Sequence, residues 1–532
     1  MRDVARLEGR RFDVLIVGGG AMGAGAARDA ALRGLSVALV EQDDLAQGTT
    51  SRSSRLIHGG IRYLAQRDFG LVRENLRERE ILLRVAPHLV RPLAIHVPVY
   101  KEGVRRRAAL RAGMVLYDLL SRRKSLPGRR WIARDHLLTL EPGLESDGLR
   151  GAWRFYDAQC ALVERLVVEN VADAKAHGAV VVNHARVRAW IRSGDTVIGA
   201  EVEDRLGGRT LRVEARETIN ATGPWLDAID PPGGTRGPQR SALLRLTKGV
   251  HLVTPPLTRH AFLLFATDGR PVFVLPWLDS SLVGTTDTDF PGEPGDVAAS
   301  EADVAYLIEA TQPTFPRAPV DDVAYTFAGA RALERVEGVA EGRVPREHEI
   351  RDHAARDGVR GIVSIVGGKL TAYRGIAQEA VDAVSKRLDH RARCGTRTRP
   401  LPGACDGDAL MAELGPRASQ LGLAPDQLAR LVGVYGATAR ALLDRVEHEG
   451  SLASRLGPGS AATRVEIVHA VEAEDAATLA DVLLRRTCLG LARDRALPLA
   501  AATADTLGWG PGAVDEYVRE VGTARATASV PA

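Results

Sequence analysis

A chain of 532 residues with 45% hydrophobic residues has room for about two to four domains with large cores. Its net charge of +4 is too small at this length to argue for nucleic acid. Its four cysteines (Cys160, Cys394, Cys405, Cys488) form no C-x-x-C or cluster with histidine, so no iron–sulfur, zinc or other metal site is expected. The opening MRDVARLEGRR has no apolar signal region, and no uncharged apolar run of about 18 residues occurs to span a bilayer, so a protein of the reducing interior is expected.

The first predicted element is a strand over the apolar run Phe12-Asp13-Val14-Leu15-Ile16-Val17. It leads into Gly18-Gly19-Gly20-Ala21-Met22-Gly23, which fits G-x-G-x-x-G. A small-residue helix over 24–33 follows, then a second strand over 35–40 ending in Glu41. In such a β-α-β unit Gly18 permits the tight turn, Gly20 lets amides approach a pyrophosphate, and Gly23 lets helix and strand pack closely. The helix N-terminus offers free N–H groups and a positive dipole end to phosphates. Glu41 can accept hydrogen bonds from ribose hydroxyls. Strand, helix and acid together separate this reading from an ordinary glycine turn.

Residues 43–64 carry five hydroxyls in six positions, Thr49, Thr50, Ser51, Ser53 and Ser54, suited to a polar cofactor or equally to a solvated turn. His58-Gly59-Gly60 sets an imidazole beside glycines that admit a flat ligand close to the backbone. The nearby Arg62-Tyr63 suits an anionic substrate. Residues 68–90 read as a helix. In 104–124, apolar Leu110, Met114, Val115, Leu116, Tyr117, Leu119 and Leu120 lie between Arg105-Arg106-Arg107 and Arg122-Arg123-Lys124. That is the pattern of an interfacial helix, shared with a core helix whose ends are solvated.

Trp153 opens a new section, with an amphipathic helix running to His177. Strands are predicted over 179–182, 187–190, 197–203 and 210–214, then a short one over 217–220 ending at Ala221-Thr222-Gly223. Further strands fall at 246–252, 272–277 and 282–287, and Arg331 and Arg346 stand at strand ends. Residues 361–371 form a strand, the pair Gly367-Gly368, then Lys369-Leu370-Thr371 and a helix from Ala372 to Leu388. Residues 395–405 are a linker by their Pro and Gly content. Helices are predicted over 407–420, 425–433, 437–447, 463–473, 476–492 and 511–521.

These motifs resemble the FAD-dependent glycerol-3-phosphate dehydrogenases of the single-chain, quinone-reducing aerobic kind. The matching stretches are GGGAMGAG, TTSRSSRLIHGGIRYL, NATGPW, TKGVHL, VFVLPW, GTTD, TFAGARAL and IVGGKLTAYR, with YGATARALL and DVLLRRTCLGLA nearer the C-terminus. Ala332 departs from the family's usual Pro. The resemblance implies a mixed α/β and α+β fold. A glutathione-reductase-like, FAD-binding Rossmann domain is expected over 1–75, 145–240 and 355–394. A sheet-based substrate (cap) domain is expected over 76–144 and 241–354, and an all-helical C-terminal domain over 406–532.

The resemblance also implies oxidation of sn-glycerol 3-phosphate to dihydroxyacetone phosphate, with hydride passing to the flavin and electrons to membrane quinone. FAD would be held by Gly18, Gly20, Ala21, Met22, Gly23, Glu41, Gln42, Thr49, Thr50, Ser51, Ser53, Ser54, His58, Gly59, Ala221, Thr222, Gly223, Gly367, Gly368, Lys369 and Leu370. Substrate would be held by Arg62, Tyr63, Lys248, Arg331, Arg346, Lys369 and Thr371, since a phosphate dianion needs several fixed cations. His58 is the preferred base and His251 the second, with Lys369 and Arg331 assisting. The expected place is cytoplasmic, peripheral on anionic lipid at the inner face of the cell membrane; a homodimer is among the partners allowed. Rival readings are an oxidase reducing dioxygen, a flavin amine oxidase of similar architecture, and a non-catalytic nucleotide-sensing or membrane-scaffold protein.

Overall fold

The computed structural model describes residues 2–60, 64, 68–101, 104–121, 124–229, 243–335 and 348–526. Two sheets dominate. The first runs in the order His348–Asp352, Ile362–Gly367, Thr210–Asn220, Arg11–Val17, Val37–Val40, Val180–Val182. Ile362–Gly367 through Val180–Val182 are parallel, and His348–Asp352 lies antiparallel at one edge. These strands are short, apolar and buried, as a sheet covered on both faces requires. The helices Ala21–Leu32, Val163–Ala176 and Tyr373–Arg387 pack over it in one apolar cluster.

Thr210–Asn220 is a single strand of 11 residues where two short ones were expected. Its first half lies antiparallel to Thr196–Asp204, which forms a hairpin with Ala185–Ser193; its second half lies parallel to Arg11–Val17. The change of partner, rather than a break in the chain, accounts for the change in sequence pattern.

Among the described residues the second sheet has ten strands, including Val90–Val99, Gly151–Cys160, Leu244–Thr254, Ala261–Phe265, Pro271–Trp277, Ser280–Gly284 and Tyr325–Glu334. Here the expected boundaries shift. The helix predicted to 90 ends at Val85, and Val90–Val99 pairs along its whole length with Gly151–Cys160. Residues 151–160, expected on the cofactor side, therefore belong to the second sheet, and His348–Asp352, expected in the cap, belongs to the first. Helix Val104–Leu120 buries Met114 and Tyr117, with Leu110, Leu116 and Leu120 against the same core and Leu119 exposed. The core-helix reading accounts for most of its apolar stripe.

The C-terminal region is helical: Gly407–Gln420, Pro425–Tyr435, Ala439–His448, Arg464–Glu472, Ala500–Leu507 and Pro511–Ala526. The helix expected over 476–492 is instead a π-helical turn, Asp481–Arg486, followed by a 3-10 turn at Leu489–Leu491. Charge dictates that local shape. Arg485 Nε and Arg486 Nη1 donate to Asp44 at 2.6 and 2.7 Å, and Asp481 accepts from Arg485 at 2.8 Å and lies 2.9 Å from His184 Nε2. Among the described residues, no helix is long and apolar enough to cross a membrane.

Candidate active site

The carboxyl ends of the first sheet's parallel strands converge on the turn after Val17, on Glu41, on Ala221 and on Gly367. This is where ligands bind open α/β sheets. A cavity of about 510 Å³ runs along these ends. Gly18 has φ +110°, and a Cβ there would lie 2.5 Å from Ala221 O; one at Gly23 would lie 1.9 Å from Gly18 O. Gly20 opens the helix, and the Ala21 amide donates to Thr50 Oγ1 at 3.1 Å. Glu41 Oε2 accepts from Gly19 N at 2.5 Å and Oε1 from Asp43 N at 3.0 Å. Burial pushes its carboxyl up to about 7.

Thr49, Thr50, Ser53 and Ser54 line the cavity, as do Gln42, Thr222, Gly223 and Gly367 to Thr371. The Ser51 hydroxyl instead donates to Ala46 O at 2.7 Å, tightening the loop from behind. Gly23 and Gly59 also lie behind the wall. Gly59 meets Tyr117 and Leu76, leaving no room for a side chain. Ser51 and Gly59, expected to face a cofactor, thus take packing roles, and Gly23 makes the close helix–strand packing expected of it.

His58, His251, Arg331 and Lys369 line the same cavity. His251 stacks on Phe327 with centroids 5.0 Å apart, and its Nε2 lies 2.8 Å from Ser54 Oγ. Burial, then Arg331 and Arg55, push this imidazole down to about 3. Burial also lowers His58, to about 4; Lys369 and Arg79 act in the same direction and Asp157 opposes them. Both rings are therefore neutral at pH 7. Thr371 Oγ1 accepts from His58 N at 3.0 Å, so this predicted substrate ligand also fixes the histidine's backbone. Arg331 is held edge-on: Nη1 donates to Asp287 Oδ1 at 3.0 Å and Nη2 to Thr285 Oγ1 at 2.9 Å.

Lys248 is a correction. It is absent from the cavity wall, and its ammonium sits 2.5 Å from Asp303 Oδ2, at the capped start of helix Glu301–Thr311. Gly249 and His251 face the cavity, and alternation along a strand turns 248 to the opposite face. Arg62, Tyr63 and Arg346 lie outside the described residues. Sequence reasoning missed Arg52, Arg270 and Phe273, all on the wall. Only GTTD carried a signal for the residues that seat Arg331.

Residues 13–374 match the family described as FAD dependent oxidoreductase, and 394–511 match the C-terminal domain of alpha-glycerophosphate oxidase. The glycerol-3-phosphate dehydrogenase of Synechocystis sp. is 37% identical over 98% of this chain and 97% of its own length. That of Pseudomonas aeruginosa is 37% identical over 90% of this chain and 92% of its own. This chain belongs to the FAD-dependent glycerol-3-phosphate dehydrogenase family. The X-ray structure of the Bacillus halodurans family member, complexed with FAD, superposes with a TM-score of 0.76 at 27% identity, covering 98% of this chain and 95% of that one.

The residues fit the family's cofactor. Positions 18 and 20 carry no side chain where a pyrophosphate would meet the backbone, Gly23 lets the helix pack against that turn, and an acid closes the second strand. At Gly368, a Cβ would lie 2.5 Å from Met22 Cε, so the Gly367-Gly368 turn and the helix start come together in this family member as one continuous floor.

Proposed function

We propose that this chain oxidises sn-glycerol 3-phosphate to dihydroxyacetone phosphate with FAD and passes the electrons to membrane quinone. One observation carries the reading: a single cavity joins the dinucleotide turn and Glu41 to two neutral imidazoles, a seated guanidinium and a lysine. Bound FAD supplies the hydride acceptor, and the protein supplies placement and charge. Gly18, Gly20, Ala21, Met22, Glu41, Gln42, Thr49, Thr50, Ser53, Ser54, Ala221 to Gly223 and Gly367 to Leu370 would hold it.

Arg331, fixed by Asp287 and Thr285, presents a set cation to the substrate phosphate, and Lys369 adds a compact point charge. Arg62, Tyr63 and Arg346 complete the proposed grip. His58, unprotonated at pH 7, takes the proton of the middle hydroxyl as hydride leaves the carbon that carries it, with His251 as the second choice. The decisive measurement is an anaerobic absorbance spectrum. The flavin bands are expected to bleach on adding sn-glycerol 3-phosphate; bands that persist overturn the reading.

The proposed acceptor implies a peripheral contact with anionic lipid at the inner face of the membrane. The arginine runs at 105–107 and 122–123 favour residues 104–124 as that surface. Flotation with liposomes should weaken when Arg105, Arg106 and Arg107 are changed to Glu; equal flotation removes this surface. A dioxygen-reducing reading draws on the C-terminal match, which is described from an oxidase. Peroxide yield measured against quinone-analogue reduction separates the two.

A further inference from the structure

Behind the His58-Gly59 turn runs a buried polar chain to which the reaction, as just described, gives no part. Tyr117 Oη, from helix Val104–Leu120, accepts from Gly59 N at 2.9 Å and donates to Asp157 Oδ2 at 2.7 Å. Asp157 also accepts from Arg79 Nη1 at 2.6 Å, and Arg79 Nη2 donates to Glu80 Oε1 at 2.7 Å. Tyr117, Asp157 and Arg79 are all buried. Asp157 stands one residue beyond the pairing of Ile57 with Ala158, on the strand beside His58. On the other side of the turn, Thr371 Oγ1 takes the His58 amide. The peptide that carries His58 is therefore gripped between two hydroxyls.

Packing alone does not call for these groups. A phenylalanine at 117 would fill the same space against Phe155, whose ring centroid is 5.7 Å away, and an apolar residue at 157 would avoid the desolvation of a carboxylate. What the polar groups add is direction and charge. Tyr117 fixes the amide next to the catalytic candidate. Asp157 holds negative charge near an imidazole that becomes cationic when it accepts a proton.

We infer that Tyr117 and Asp157 are positioning residues for His58, the first orienting its backbone and the second stabilising its protonated form. The inference rests on His58 being the base. The groups facing His58 are Asp157 from strand Gly151–Cys160, Lys369 from the turn before helix Tyr373–Arg387, Arg79 from helix Phe69–Val85, and Tyr117. Asp157 favours the imidazolium, while Lys369 and Arg79 disfavour it. Burial and Asp157 push the Tyr117 phenol well above its usual value, so it stays neutral.

The test is stopped-flow flavin reduction by sn-glycerol 3-phosphate in the anaerobic holoenzyme, comparing wild type, Tyr117→Phe, Asp157→Asn, His58→Ala and the double variant His58→Ala/Tyr117→Phe. Tyr117→Phe is expected to slow reduction about tenfold or more, as misplacement of a reacting group does. FAD absorbance and melting temperature should hold. Asp157→Asn is expected to move the acidic limb of the rate profile to lower pH, because the imidazole loses the charge that favours its protonation. Adding Tyr117→Phe to His58→Ala should cost nothing further, since the tyrosine acts through the histidine. Wild-type rates in Tyr117→Phe, an unmoved limb in Asp157→Asn, or equal slowing in both backgrounds overturns the assignment. His58→Ala reducing flavin at the wild-type rate would instead sink the reading of His58 as base, and the assignment with it.

Discussion

Arg331 reaches its seat because position 249 has no side chain. A Cβ there would lie 2.0 Å from Arg331 Nη2 and 2.8 Å from Thr285 Oγ1. Gly249→Ala should expel the guanidinium from Asp287 and Thr285 while leaving the dinucleotide turn untouched. We expect kcat/KM for sn-glycerol 3-phosphate to fall about tenfold or more at full FAD content, the scale of a misplaced binding group; steady-state kinetics on the purified holoenzyme checks it. His96 makes a separate prediction. It is buried against Phe262 and His260 in the second sheet, and burial, with His260 adding to it, pushes it down to about 4. An unfolded histidine titrates near 6.5, so between these values the unfolded chain binds a proton that the native state refuses. Stability is therefore lost as pH falls from about 6.5 toward 4. His96→Phe should shrink the drop in melting temperature between pH 7 and 4.5; an unchanged drop removes His96 as a cause.

At the scale of elements, the glycine turn is the least tolerant feature. Gly23→Ala puts a methyl 1.9 Å from a backbone oxygen that cannot step aside, and should yield folded protein without yellow colour, read as the flavin-to-protein absorbance ratio. This β-α-β unit was legible because its requirements are local: a strand, three small positions, a helix and an acid lie within thirty residues. The Gly367-Gly368 turn was legible for the same reason. Elements set by distant partners were not. Gly151–Cys160 is a strand through its pairing with Val90–Val99, Leu56–Ile57 and Arg130–Ala133, all set by distant sequence, and its Asp157 was given no role by the sequence reading. Lys248 sat beside a glycine and a histidine that do face the cavity, and alternation alone would have turned it away. The apolar run at 476–492 had the composition of a helix, but Asp44, more than four hundred positions earlier, dictates a π-helical turn.

At the scale of the whole molecule, that same aspartate joins the C-terminal region to the cofactor sheet. Asp44, Asp481, Arg485 and Arg486 are buried together, with His184 against Asp481 and Asn183 Nδ2 on Asp44. Asp44→Ala would leave two buried guanidiniums without the carboxylate that both of them bond, and breaking such a group typically costs about 3–5 kcal/mol. A large fall in melting temperature, with the FAD-free protein affected as much as the holoenzyme, is expected from calorimetry.

Asp44 stands three positions after Glu41, the acid that closes the second strand. The loop after Glu41 is thereby anchored by side chains from the C-terminal helical region. A chain emerging from the ribosome carries its glycine turn early, yet the anchor for the neighbouring loop is translated some four hundred and forty residues later. A fragment stopping at the linker would keep Glu41 and its loop and lack the two guanidiniums that hold Asp44.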